Sequence, residues 1–306
     1  MPSVLPLDPP QRLLRALDGH PDAAEATAWL RDLPGLLEDM LGQWELRPER
    51  VVSPGGRSSL VVLVRQPDGA PAVLKLAAPD TSAEREAAAL AHWDGWGAVR
   101  LLRAAPERGA LLLERLHGEV SLRSLPESRA TLEACSVVRR LWVPPAEGHG
   151  FETVAGHTAA EAELLRTAAP AEAEPLVGEA LELRDALLAD AVPPVLLHGD
   201  FRQGAVLSAG DAERAPWLAV GPEPLVGDPA FDLARLVRDR LHDLMASSGA
   251  PAATRRRVHR LADSLDLDRE RLRGWALYRA VESGVRHVSR GDRQDGEALL
   301  EFAGWL

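Results

Sequence analysis

The spacing of apolar positions changes several times along the chain, and each change predicts an element. Through the first fifty residues Leu13, Leu14 and Leu17, then Leu36, Leu37 and Leu41, recur at helical spacing. From Arg57 to Arg65 the period shortens. Leu60-Val61-Val62-Leu63-Val64 reads as a strand, Pro67-Asp68-Gly69 as a turn, and Pro71-Ala72-Val73-Leu74-Lys75-Leu76 as the returning strand of a hairpin. The next segment predicts a helix capped by Thr81 or Ser82, with Glu84 in its first turn and Ala87, Leu90 and Trp93 on its apolar face. Val99–Leu102 and Ala110–Leu113 flank Pro106-Glu107-Arg108-Gly109 as a second hairpin. Beyond about Gly118 the pattern is helical, apart from a strand-rich island at 194–221.

This order predicts an α+β chain of two lobes. Residues 1–116 form a small sheet-rich N-terminal lobe with leading helices, and 117–306 a larger, mainly helical C-terminal lobe, the boundary lying between Glu114 and Ser121. A cleft between two such lobes suits a nucleotide.

Composition narrows the class. Of 306 residues, 46% are hydrophobic and 26% charged, as in a globular domain. No apolar run approaches the ~20 residues that cross a bilayer, and residues 1–10 lack the basic start and apolar core of a signal peptide. The single cysteine, Cys135, has no internal partner, reads as a small buried hydrophobe, and is at home in a reducing cytoplasm. A net charge of -11 argues against a nucleic-acid partner. Lys and Arg together number 35, yet Lys75 is the sole lysine, and Ile and Asn are absent. Where arginine replaces lysine for every generic charge, the surviving lysine marks a place where a compact point charge is needed, such as a tight phosphate site.

The candidate chemistry lies downstream. Val195-Leu196-Leu197-His198-Gly199-Asp200 is a buried strand opening into a loop, so Asp200 projects from a rigid strand end, with His198 placed to fix the loop. Ala215–Val220 is another strand, and Gly227-Asp228-Pro229-Ala230-Phe231-Asp232-Leu233-Ala234 is a turn entering a helix. Asp228 and Asp232 both read as carboxylates satisfying free N–H groups at that helix start. Glu179, Glu182, Asp239, Asp243 and Glu282 suit the lining of a cation-accepting cleft, though for most of them a solvated helix face is the favoured reading.

With these residues in view, Leu197–Ala234 resembles the aminoglycoside phosphotransferase family, in its streptomycin and hydroxyurea kinase branch. Ala215-Pro216-Trp217-Leu218-Ala219 and Pro224–Ala234 carry the likeness, joined upstream by Val73–Leu76, Glu84–Leu90 and Trp93-Asp94-Gly95. The resemblance implies a bilobal protein-kinase-like fold, ATP as cofactor, and transfer of phosphate to an alcohol of a small molecule. That molecule would be an aminoglycoside or a hydroxamate-like compound, and the role antibiotic resistance. By resemblance Lys75 contacts the ATP α- and β-phosphates and Glu86 pairs with that lysine. Asp200 is the catalytic base. Leu113–Leu116, with Glu114 and Leu116, form the connector whose backbone meets adenine. Pro54-Gly55-Gly56-Arg57-Ser58-Ser59, with Ser58, stands where the phosphate-covering loop belongs.

Two departures stand against that role. Kinase-type catalysis uses an Asn five residues after the catalytic Asp, and a second Asp after the next strand, to hold magnesium. Those positions are Ala205 and Gly221, and neither side chain offers an oxygen. Two readings follow. A degenerate phosphotransferase, a pseudokinase, would keep the fold and a ligand but transfer phosphate poorly or not at all. A working O-phosphotransferase would need an altered metal site, with Glu223 returning a carboxylate or Arg202 substituting for metal charge.

Overall fold

The computed structural model describes residues 8–19, 22–79, 81–210 and 214–306. Residues 1–7, part of the segment inspected for a leader, lie outside them. The chain divides into two compact units, one of residues 1–118 with 209–214, the other of 119–208 with 215–306.

The first unit opens with helices α1 (Gln11–Asp18) and α2 (Ala23–Gln43). A five-stranded antiparallel sheet follows, built from β1 (Arg47–Val51), β2 (Ser59–Arg65), β3 (Pro71–Ala77), β4 (Leu101–Ala105) and β5 (Ala110–Glu114) in the order β1-β2-β3-β5-β4. Helix α3 (Ala83–Trp93) is inserted after β3. Period-two alternation sorts β3 cleanly. Ala72, Leu74 and Leu76 are fully buried in one core with Leu33, Leu37 and Met40 of α2. Lys75, between two of them, therefore points to the other face. Ser82 rather than Thr81 caps α3, accepting from Arg85 N at 3.1 Å. Strand β1 lies in the stretch read as helical. Its Arg-Pro-Glu-Arg-Val sequence is half polar and mostly exposed, so an edge strand of this kind has no alternation to read.

Strand β6 (His117–Ser121) begins in the last residues of the first unit and leads, in the second, to α4 (Glu127–Leu141), β7 (Glu152–Thr153), α5 (Val154–Ala168) and α6 (Glu174–Ala189). Strands β8 (Val195–Leu197), β9 (Val206–Ser208), β10 (Trp217–Ala219) and β11 (Leu225–Gly227) follow, then α7 (Pro229–Val237), α8 (Leu241–Met245), α9 (Ala250–Leu265), α10 (Arg269–Ser289) and α11 (Arg293–Ala303). Two small sheets, β7-β11-β8 and β10-β9-β6, carry the loops of interest. Strands β6, β7 and β11 fall outside the predicted island, being too short to show a period of their own. Helix α10 is the axis of this unit: Leu272, Trp275, Ala276, Tyr278, Ala280 and Val281 are almost wholly buried against α5, α6, α7, α9 and α11.

Candidate active-site loop and its arginine clamp

In the first unit the structure brings together Lys75 and Glu86, which the family resemblance paired. Lys75 Nζ donates to Glu86 Oε2 at 2.5 Å, and both residues are buried, 8% and 2% exposed. The other carboxylate oxygen, Glu86 Oε1, is buried with no partner among the described residues. Such a pair persists only when its desolvation is offset by close charge contact. Ser58 lies in the loop before β2, where its carbonyl accepts from Ala78 N at 2.9 Å and Thr81 Oγ1 at 3.1 Å. Glu114 ends β5. Its carboxylate takes Arg100 N at 2.7 Å and Arg214 Nη2 at 2.5 Å, so the side chain braces the strand end. Leu116 is partly exposed, and its carbonyl accepts from Gly118 N at 3.0 Å.

In the second unit β8 ends at Leu197 and the chain turns sharply through His198-Gly199-Asp200. Gly199 has φ +79°, and a Cβ there would lie 1.8 Å from the Glu223 carbonyl oxygen, so only glycine fits. His198 is fully buried, with Nε2 3.2 Å from the Val220 carbonyl. Asp200 is 8% exposed and does not stand free. Arg202 Nε donates to its Oδ2 at 3.1 Å, and Arg235 of α7 closes on its Oδ1. Burial alone would raise the Asp200 pKa, but Arg235 and then Arg202 outweigh it and hold the carboxyl below its ordinary value.

The loop is held from behind by residues that the sequence did not single out for it. Asp232 is fully buried and accepts from His198 N at 2.8 Å, Gly199 N at 2.7 Å and Trp142 Nε1 at 3.3 Å. Burial pushes its pKa up to about 6 against those hydrogen bonds. Its expected capping role is thus corrected: the side chain turns away from its own helix because two loop amides face it. Asp228 does cap α7, accepting from Ala230 N at 2.9 Å, and its second oxygen takes Arg271 Nε at 2.6 Å and Trp275 Nε1 at 2.7 Å. Arg279 of α10 donates to Gly199 O at 2.9 Å and lies 4.4 Å over the Phe231 ring. Asp239 accepts from Gln203 N at 2.6 Å, and the 4%-exposed Glu282 pairs with Arg286. Neither lies on a fully solvated face: Asp239 is half-buried because a backbone amide 36 residues upstream reaches it, and Glu282 is buried and paired with an arginine one turn along its own helix.

Ala205 lies opposite Val220, the residue before Gly221: Val220 N donates to Ala205 O at 2.8 Å, extending the β9–β10 ladder. Ala205 is buried, while a Cβ on Gly221, at φ +64°, would meet nothing within 4 Å. The pair offers no side-chain oxygen, so its donor set does not fit magnesium. Glu223 is exposed, and its backbone N donates to His198 O at 2.9 Å. Against burial, Glu282 and Glu161 raise the pKa of Arg286, and the charge of Glu223 adds to them.

Comparison with known proteins agrees with this layout. The sequence model of the family described as aminoglycoside/hydroxyurea antibiotic resistance kinase matches residues 43–291. A streptomycin 6-kinase of Streptomyces glaucescens is 36% identical over 285 residues, 91% of this chain and 89% of the relative. A hydroxyurea phosphotransferase of Kitasatospora aureofaciens is 36% identical over 290 residues, 90% and 78% of the two chains. Among solved structures, a choline kinase from Streptococcus pneumoniae superposes with a TM-score of 0.62 at 12% identity, covering 89% of this chain and 97% of that one. The fold is therefore protein-kinase-like, with a sheet-bearing N-terminal part and a mostly helical C-terminal part. No helix among the described residues is long and apolar enough to cross a membrane.

Proposed function

The chain belongs to the aminoglycoside/hydroxyurea antibiotic resistance kinase family, and we propose that it is a degenerate member, retaining nucleotide binding through Lys75 while phosphoryl transfer is lost or slowed by orders of magnitude. The observation that carries this reading is the state of the Asp200 loop. Asp200 takes a hydrogen bond from Arg202 at Oδ2 and an ion pair with Arg235 at Oδ1, and by the family resemblance Ala205 and Gly221 stand where a kinase has its metal ligands. A metal held at these two positions would supply positive charge to the phosphates, and Ala205 and Gly221 have no side-chain oxygen with which to hold it.

The chemical argument concerns positioning and charge. Phosphoryl transfer asks little of the protein beyond these two. A base must accept the acceptor hydroxyl's proton, and a carboxylate already clamped by two guanidinium groups is a poorer acceptor at both oxygens. Loss of one preorganised electrostatic group costs ~10²–10³ in rate, and two losses within one unit are not simply multiplied. Lys75, held by Glu86, remains suited to the nucleotide phosphates, and Ser58, Glu114 and Leu116 to the nucleotide's surroundings. The role would be binding, sequestration or regulation of a small molecule in the cytoplasm, without nucleic acid or membrane as partner.

A second reading, an active ATP-dependent O-phosphotransferase acting on an aminoglycoside or a hydroxamate-like compound, is favoured by the intact Lys75–Glu86 pair. Calorimetry with ATP, with and without magnesium, separates the two when joined to a phosphotransfer assay on streptomycin and hydroxyurea. The degenerate reading expects ATP binding indifferent to magnesium and no measurable turnover. It also expects turnover to rise when Ala205→Asn is combined with Gly221→Asp, since the space at 221 is open and Asp tolerates positive φ better than most residues. Wild-type turnover within the ~1–100 s⁻¹ of working kinases would refute it.

A further inference from the structure

Beside the Asp200 loop, within the second unit, lies a cavity of about 210 Å³ whose lining includes Arg202, Arg235, Arg238, Asp239, Ser283 and His287. Three guanidinium groups converging on one hollow stand out in a chain of net charge -11. The charges around it are unevenly matched. One carboxylate, Asp200, is shared by two guanidinium groups, Arg202 through Nε and Arg235 through Nη1. Arg238 donates only to neutral groups, the Arg279 carbonyl at 3.2 Å and Ser283 Oγ at 3.0 Å, and has no carboxylate within ion-pair distance among the described residues. Asp239, the one carboxylate on the wall, is committed to Gln203 N. Glu282, on the helix behind, is paired with Arg286. His287 Nδ1 is tied to Asp292 at 2.8 Å.

We infer that this cavity is a binding site for a compact oxyanion, a phosphate or carboxylate carried by a small molecule, gripped by Arg202, Arg235 and Arg238. Guanidinium groups bind such oxyanions through paired N–H donors. Arg238 is half-buried with no carboxylate partner among the described residues, and a bound anion offsets the cost of holding its charge there. Consistent with this, burial and the neighbouring Arg235 and Arg279 push the Arg238 pKa down to about 9. The cavity is smaller than the ~300–1,000 Å³ of sites for drug-sized ligands, so it takes an anionic headgroup and not a whole aminoglycoside. The same three cations repel ammonium and guanidinium groups. The inference concerns the second unit alone and stands whether or not phosphate is transferred.

Calorimetric titration of the full chain with inorganic phosphate, and separately with acetate, at constant ionic strength and without nucleotide, tests it. Saturable binding of at least one anion is expected, phosphate winning if the natural group is a phosphate ester and acetate if it is a carboxylate. Arg238→Gln and Arg202→Gln should each weaken it roughly tenfold or more, the loss of one charge-assisted hydrogen bond. Arg256→Gln, an exposed arginine on α9, should leave it unchanged. Arg202 is only partly buried, so its variant keeps the test valid should Arg238→Gln fail to fold. Absence of saturable binding by either anion would overturn the inference. So would wild-type affinity in both cavity variants, which would place the anion elsewhere, as at Lys75.

Discussion

Replacing Asp228 by Ala removes three contacts at once, and the structure allows the cost to be built up contact by contact. The cap to Ala230 N is the first, worth ~1 kcal/mol by the usual Asp-to-Ala cost at an N-cap. Trp275 Nε1, on a side chain with no exposed surface, loses its acceptor, and an orphaned buried donor costs ~1–3 kcal/mol. Arg271 loses its buried partner. Breaking a buried ion pair costs ~3–5 kcal/mol when nothing replaces it, but Arg271 keeps Asp190 Oδ2 at 2.9 Å and the Leu187 carbonyl at 2.9 Å. The Asp190 side chain is 85% exposed, so the remaining ion pair is screened and compensates only in part. Together these give a loss of ~4 kcal/mol, a large share of the ~5–15 kcal/mol that holds a typical domain. Urea denaturation followed by tryptophan fluorescence and circular dichroism reads it. Arg271→Met made alone and with Asp228→Ala closes a double-mutant cycle, for which a coupling of ~1–3 kcal/mol is expected. A loss below ~1 kcal/mol, or strict additivity of the two changes, would show that Asp228 is not the junction of α7 and α10 argued above.

Three further outcomes can be checked. Because Arg235 and Arg202 hold the Asp200 carboxyl below its ordinary value, the folded chain sheds this proton at lower pH than the unfolded one. The contribution of Asp200 is thus complete above the unfolded value of ~3.9 and lost as pH falls through the folded one. Urea midpoints should show the wild type losing its advantage over Asp200→Asn on acidification, and a difference that grows below pH ~4 would contradict the ion pairs. Gly199→Ala must relieve a contact with the Glu223 carbonyl as well as a positive φ, so a loss of ~2 kcal/mol or more is expected in thermal melts, with a disturbed His198 ring environment in NMR spectra. Burial pushes the Cys135 thiol up to about 11, so its reaction with a disulfide reagent at neutral pH should be slow and should track global unfolding; rapid labelling of the native protein would place the thiol at the surface.

Local features of the sequence determined much of the scaffold. The β2–β3 hairpin, the capped helix α3, and the placement of Lys75 on the face opposite the core all follow from periods of two and 3.6. The Lys75–Glu86 contact, eleven residues apart, was expected from the family resemblance and not from periodicity. Asp228 as a helix cap was equally legible, as was the absence of side-chain oxygens at 205 and 221. The second task of Asp228 was not, since Arg271 and Trp275 reach it from more than forty residues away. The same holds for the loop itself. Asp232 sits one turn into a helix and carries the local signature of a cap, yet it braces amides 33 and 34 residues upstream. Arg235 and Arg279 look like any other helical arginine in a chain where arginine supplies nearly all positive charge. Only the packing of α7 and α10 against the Asp200 turn turns them into a clamp and gathers Arg202, Arg235 and Arg238 around one cavity. Short-range periodicity encodes which face of an element is buried. Which charges meet there is decided by how separate elements pack, because Coulomb and hydrogen-bond partners are chosen by distance in space and not along the chain.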